Sequence, residues 1–304
     1  MKLKQLPEDF YVQELLQPAL VEQGNFICFL LKKKEWGTLD ALFALSQALH
    51  VDVRRFGIAG MKDKRGVTEQ YVSGYQITKS ALEKVRIKNV QLTFLGYLKE
   101  RITLGMLEGN RFRIVVRDLA EKKELHPDLQ ILNLFDYQRF GKDMGNIAIG
   151  RALVRGDYSK VCEHLQLAVQ GKDFIGALRK VNRRILRFLL SSYQSHLWNE
   201  VVQHLQQPYE TVPILGYLTE LTEEIGKVYR ALMEKEGVVQ EDFLMKKFPE
   251  LSSEGNARKM FVELKNFQCA WGKDTSNNNP YTCTLEFDLG KGQYATHVAK
   301  TLLS

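Results

Sequence analysis

Along this chain the spacing of apolar positions changes several times, and each change marks an element. Asp9-Phe10-Tyr11-Val12-Gln13-Glu14 is short and rich in β-formers. Phe26-Ile27-Cys28-Phe29-Leu30-Leu31, behind the Gly24-Asn25 turn signal, is an apolar run of strand length. Lys32-Lys33-Lys34-Glu35 follows as a charged patch. Thr38 reads as the N-cap of a helix carried by Leu39, Leu42, Phe43, Leu45 and Leu49. Strands are predicted over 68–75, 90–97 and 111–116, with a short amphipathic helix over 79–86. From about residue 150 the period turns helical. Residues 151–206 predict consecutive helices, and 220–265 predict further helix rich in Glu and Lys. Alternation returns over 281–288. Strands and helices do not alternate steadily, so the class is α+β: a sheet-based body interrupted by a helical insertion and closed by a C-terminal strand. The expected division is 1–150 with 256–304 as one domain and 151–255 as the insertion.

Composition adds a partner class. The 304 residues are 44% hydrophobic and 26% charged, enough for a core in one large or two modest domains. The formal charge of +7 favours an anionic partner, most commonly nucleic acid, with a membrane surface or acidic protein left open. Cys28, Cys162, Cys269 and Cys283 are far apart and form no C-x-x-C pair, which argues against a zinc knuckle or a redox dithiol. The six histidines show no metal-ligand spacing, so no metal is expected. The N-terminus carries no secretory h-region, and no apolar run reaches the roughly 18 residues of a membrane span. A reducing cytoplasm is the expected location.

The stretch most able to do chemistry is Gly57-Ile58-Ala59-Gly60-Met61-Lys62-Asp63-Lys64-Arg65-Gly66. Its glycines suit a loop that lets something bulky come close. Lys62, Lys64 and Arg65 flank Asp63, favour its charged form and attract a polyanion. An ionised carboxylate in a basic loop suggests a nucleophile or base acting on nucleic acid; K-D-K-R-G is equally ordinary exposed-turn chemistry. Asn133-Leu134-Phe135-Asp136-Tyr137-Gln138-Arg139-Phe140-Gly141 concentrates aromatics, amides and an Arg that could stack on bases and pair with their edges, or pack into a core. Gly290-Lys291-Gly292 could meet a phosphate, though it lacks P-loop spacing. Arg179-Lys180, Arg183-Arg184 and Arg187 form a basic helix face, poorly balanced by acids, for an RNA backbone or for solvent.

Six separated motifs in order resemble the TruD family of RNA pseudouridine synthases. They are Lys4-x-x-Pro7-Glu8-Asp9-Phe10-x-Val12-x-Glu14, Ala59-Gly60-Met61-Lys62-Asp63-Lys64 with Val67-Thr68-Glu69-Gln70, and Gly109-Asn110-x-Phe112. Asn133-x-Phe135-x-x-Gln138-Arg139-Phe140-Gly141, Ser195-His196-Leu197-Trp198-Asn199 and Gly292-x-Tyr294-Ala295-Thr296 complete the set. Asp136-Tyr137 departs from the Gly-x that usually follows the family Phe, and the insertion between about 205 and 265 does not align to the family pattern.

The resemblance implies a pseudouridine synthase-type catalytic domain, a mixed or antiparallel sheet, and a mainly helical TruD insertion. It implies an isomerase that takes uridine, characteristically uridine 13 of transfer RNA and for some members other RNAs, to pseudouridine. By the same resemblance Asp63 is the catalytic nucleophile, acting at the ribose C1′ or by another covalent route. Lys4 is the basic neighbour, Phe135 stacks on the flipped base, Asn133 orients the base or Asp63, and Gln138 and Arg139 support the site. Lys62, Lys64, Arg65, Arg183, Arg184, Arg187 and Lys291 are expected RNA contacts. No cofactor, membrane or obligate protein partner is implied. The alternative is a catalytically silent RNA-binding or chaperone module on the same scaffold. A metal-dependent nuclease is disfavoured, because the carboxylates near Asp63 form no ligand cluster.

Overall fold

A computed structural model describes residues 1–126 and 130–304, in two compact units: 1–129 with 263–304, and 130–262. The edges expected at 150 and 256 both fall inside the second unit, for a packing reason. Gly150 lies so close to the helix that carries Leu189 and Tyr193 that a Cβ there would sit 2.3 Å from the Leu189 carbonyl oxygen. The strand Asn256–Lys259 pairs with Thr211–Ile214.

The first unit is built on a mixed sheet. Its strands are β1 (Phe10–Leu15), β2 (Phe26–Lys34), β3 (Phe56–Ile58), β4 (Val67–Tyr75), β5 (Val90–Leu98), β6 (Gly109–Leu119), β9 (Lys265–Lys273) and β10 (Tyr281–Gly290). The order is β5-β2-β4-β1-β6-β10-β9, with β3 pairing the distal half of β4. Only β1 and β4 run parallel among these neighbours; the other pairings are antiparallel. Helices α1 (Thr38–Leu49) and α2 (Lys79–Lys84) cover one face. There Ala41, Leu42 and Leu45 pack on Ile27, Phe29, Leu31 and Val72 with Leu82 of α2. Leu39 and Phe43, expected on the buried stripe of α1, are instead exposed.

Two expectations need correction in this unit, and one strand was unforeseen. The charged patch at 32–34 is the end of β2, because the inward phase of Ile27, Phe29 and Leu31 continues to Lys33, which is 1% exposed. Strand β9 escaped notice because it is an edge strand with an almost wholly exposed pattern. The chain closes not on strand β10 but on helix α8 (Ala295–Leu303), which buries Ala295, Val298, Ala299, Leu302 and Leu303 at helical spacing.

The second unit is mainly helical: α3 (Gly145–Val154), α4 (Tyr158–His164), α5 (Phe174–Arg179), α6 (Arg183–His204) and α7 (Glu223–Glu236), with the hairpin β7 (Thr211–Ile214) and β8 (Asn256–Lys259). Its core forms around α6, where Tyr193, Leu197, Trp198 and Val201 are fully buried. Helix was expected as far as 265. It stops at Gly237, and 240–262 is short turns and β8, punctuated by Pro249 and Ser252. No helix among the described residues is long and apolar enough to cross a membrane.

Candidate active site

Asp63 stands on the loop from β3 to β4, and its side chain is 57% exposed. Each stretch of that loop's backbone is held by a side chain from a different element. Gln70 Nε2 on β4 donates to the Gly60 carbonyl at 3.2 Å. The Lys62 amide donates to Thr38 Oγ1 at 2.9 Å, and that hydroxyl donates to Gln70 Oε1 at 2.9 Å. Thr38 is therefore not the N-cap it resembles. Gly37 holds that position, and the Thr38 hydroxyl serves the loop. Lys33 Nζ on β2 donates to the Asp63 carbonyl at 3.1 Å.

At Gly66 the loop comes against its own sheet. Gly66 has φ +130°, and a Cβ there would lie 2.5 Å from the Phe10 carbonyl oxygen.

Lys62 was expected to face RNA, and the structure turns it inward. Its ammonium is 2.7 Å from Glu14 Oε1 and donates to Asn110 Oδ1 at 2.7 Å, with both charged side chains buried. Glu14 Oε2 also accepts from the Tyr71 amide at 3.0 Å. Two family-motif residues without an expected role, Glu14 and Asn110, are thus the seat of Lys62. A charge so placed is consumed by its pair and does not reach a phosphate. Lys64 and Arg65 are exposed.

Lys4 does meet Asp63. Its Nζ donates to Asp63 Oδ2 at 3.1 Å while lying 3.7 Å over the Phe10 ring. Lys4 holds φ +54°, an uncommon backbone conformation for a residue with a side chain. Lys291 Nζ donates to the Gly105 carbonyl at 2.6 Å, and the Gly105 amide donates to the Ala59 carbonyl at 2.8 Å. Lys291 is therefore linked to the root of the Asp63 loop.

The remaining expected residues lie in the second unit and form a separate network there. Asn199 clamps both backbone groups of Phe135. Its Oδ1 accepts from the amide at 2.9 Å, and its Nδ2 donates to the carbonyl at 3.0 Å. Trp198 meets the Phe135 ring edge-on at 5.7 Å. Arg139 donates to Ser195 Oγ at 2.7 Å and Ser191 Oγ at 3.0 Å, with its guanidinium 5.0 Å from the centre of the Phe135 ring. Ser195, Trp198 and Asn199 thus act together to hold the Phe135–Arg139 stretch. Gln138 is exposed.

Asn133 is 3% exposed, and its amide is occupied within the unit. Nδ2 donates to the Lys259 carbonyl at 3.1 Å, and Oδ1 accepts from Arg258 at 2.6 Å. Arg258 went unnoticed in the sequence. It also donates to the Asn133 carbonyl and lies 4.0 Å over the Phe135 ring. No local pattern marks it, since it is brought to Asn133 by strand β8.

The basic face of α6 is less free than its sequence. Arg187 donates to the Glu250 carbonyl at 2.9 Å, and Arg183 lies 3.7 Å from the Glu250 carboxylate. Arg184 is exposed, beside the half-exposed Ile185 and Phe188. No cluster of three or more His, Cys, Asp or Glu side chains arranged to hold a metal is present among the described residues.

Residues 1–166 and 205–302 match the family model of tRNA pseudouridine synthase D (TruD), so 205–265, expected to depart from the family pattern, does have a counterpart in it. A Methanosarcina mazei protein named "Probable tRNA pseudouridine synthase D" is 26% identical, covering 98% of this chain and 92% of its own. A Methanopyrus kandleri protein of the same name is 29% identical, over 95% of this chain and 88% of its own. The tRNA pseudouridine synthase D of Aquifex aeolicus is 35% identical over 62% of this chain and 52% of its own. A crystal structure of the Methanosarcina mazei TruD protein superposes with a TM-score of 0.82 at 24% identity, over 99% of this chain and 93% of that one, so the fold is shared.

Proposed function

This chain belongs to the TruD family of tRNA pseudouridine synthases, and from that premise we propose that it isomerises a uridine of transfer RNA, uridine 13, with Asp63 as the nucleophile. The observation that carries the reading is the exposed Asp63 carboxylate, held by Lys4 at 3.1 Å on a loop whose backbone is tied to neighbouring strands and a helix.

A carboxylate fixed this way suits covalent catalysis, because its direction of attack is set before substrate arrives. It bonds to the target nucleoside as the glycosidic bond breaks. The uracil turns, C5 bonds the ribose carbon that N1 has left as the bond to Asp63 breaks and frees the carboxylate, and the proton lost from C5 ends on N1. Lys4 offers a cation beside the reacting carboxylate. To present the nucleoside, the RNA must unstack it. Within the second unit, the proposed TruD insertion, Phe135 with the Arg139 and Arg258 guanidinium groups supplies stacking planes of the kind that take a base. Lys64, Arg65, Lys291 and Arg184 are the proposed phosphate contacts. Lys62 is removed from that set by its burial. The proposed setting is the cytoplasm, where transfer RNA works.

Purified protein with unmodified transfer RNA, followed by chemical mapping of pseudouridine, tests this. The expected result is new pseudouridine at position 13, lost by about 10³-fold or more in Asp63→Asn with RNA binding retained. Tight binding with no pseudouridine in any RNA would instead make the chain a silent RNA-binding module.

A further inference from the structure

Lys33 shares the inward phase of Ile27, Phe29 and Leu31 on β2, and like them is at most 1% exposed. An ammonium there is costly unless strong acceptors meet it. It donates to two main-chain carbonyls, Trp36 at 2.6 Å, ahead of α1, and Asp63 at 3.1 Å. Neutral carbonyls do not balance its charge. The charged groups that act on it are Asp63 and Lys62 in the loop and Asp40 on α1, the two carboxylates favouring the ammonium and Lys62 opposing it. Its cross-strand partners, Thr68 on β4 and Val90 on β5, carry no charge. The adjacent Lys32 points to the other sheet face, where it pairs with Glu69 at 2.8 Å.

We propose that Lys33 is a positioning residue for catalysis: its buried ammonium fixes the Asp63 main chain from beneath through a charge-assisted hydrogen bond to the Asp63 carbonyl. Lys4 then approaches that carboxylate from the exposed side and Lys33 holds its backbone from the buried side. The inference rests on Asp63 being the reacting carboxylate. Geometry at the reacting centre is sensitive to such support, and a displacement of about 1 Å can cost about 10²-fold in rate. Burial pulls Lys33 down to about 8, so its charge is present at neutral pH and lost on the alkaline side.

The test is the single-turnover rate of pseudouridine formation for wild type, Lys33→Met, Lys33→Arg and Lys32→Met between about pH 6 and 9, with thermal melts and RNA affinity. Wild type is expected to lose rate as pH rises through about 8. Lys33→Met is expected to be about 10²-fold slower at neutral pH, to bind RNA within about threefold of wild type, and to lack the alkaline fall. Lys33→Arg, always charged, is expected to recover part of the rate and keep it at about pH 9. Lys32→Met is expected to match wild type.

A folded Lys33→Met protein with wild-type rate and the wild-type alkaline limb would overturn the proposal. If neither Lys33 variant folds, a wild-type rate unchanged from about pH 8 to 9 overturns it. An active Asp63→Asn would instead defeat the reading of the nucleophile, and Asp63→Asn run alongside separates the two failures.

Discussion

The Asp63 loop and the Asn133–Gly141 stretch were expected to supply one site, and they are built on opposite plans. In the first unit, side chains from β1, β2, β4 and α1 are used on backbone groups and on Lys62, and the Asp63 carboxylate is left facing solvent. In the second unit the side-chain amide of Asn133 is itself consumed, buried and bonded on both ends, and an aromatic-guanidinium stack remains half-exposed. The proposed nucleophile would need a fixed backbone and a free head, whereas the proposed stacking surface would need a fixed plane and little else. The same residue types, Asp, Asn, Lys and Arg, therefore divide into presenters and anchors according to burial.

That contrast breaks most severely at Lys62. Lys62→Met leaves the Glu14 carboxylate buried without its cation and should cost about 3–5 kcal/mol in a denaturant melt. A loss below about 1 kcal/mol would show that the ion pair is not what seats the loop. Next in size is Arg258→Met, which strips a donor from the Asn133 carbonyl and side chain; about 1–3 kcal/mol is expected, read as a lower unfolding midpoint. An unchanged midpoint would mean that Asn133 is satisfied without Arg258. Smallest is the joint neutralisation of Arg183, Arg184 and Arg187 to Gln. Two of these cations already engage Glu250, so RNA affinity should fall only a few-fold and the log-log salt slope by about 1. An unchanged slope would assign that face to solvent.

The placement of β1, β2, β4, β5, β6 and β10 could be read from alternation and turn residues, because a half-buried strand writes its two faces into its sequence. The burial of Lys33 was legible in the same way, as the next inward position after Leu31, but a run of three lysines hides the phase under its charge. Edge strand β9 wrote no such signal, since neither of its faces is buried.

What the sequence determined by itself is the α+β class, the order of elements across most of the chain, the family, and the nomination of Asp63 with Lys4. Those follow from local periodicity and from motif order, which survive without coordinates. What only the tertiary structure decided is the use to which each polar side chain is put. Thr38 serves a loop and not a helix end, Lys62 faces Glu14 and not RNA, and Arg258 reaches Asn133 from 125 residues away. The physical reason is that a charge or hydroxyl takes its role from the partner and the burial it meets, and both are set by contacts far apart in the chain.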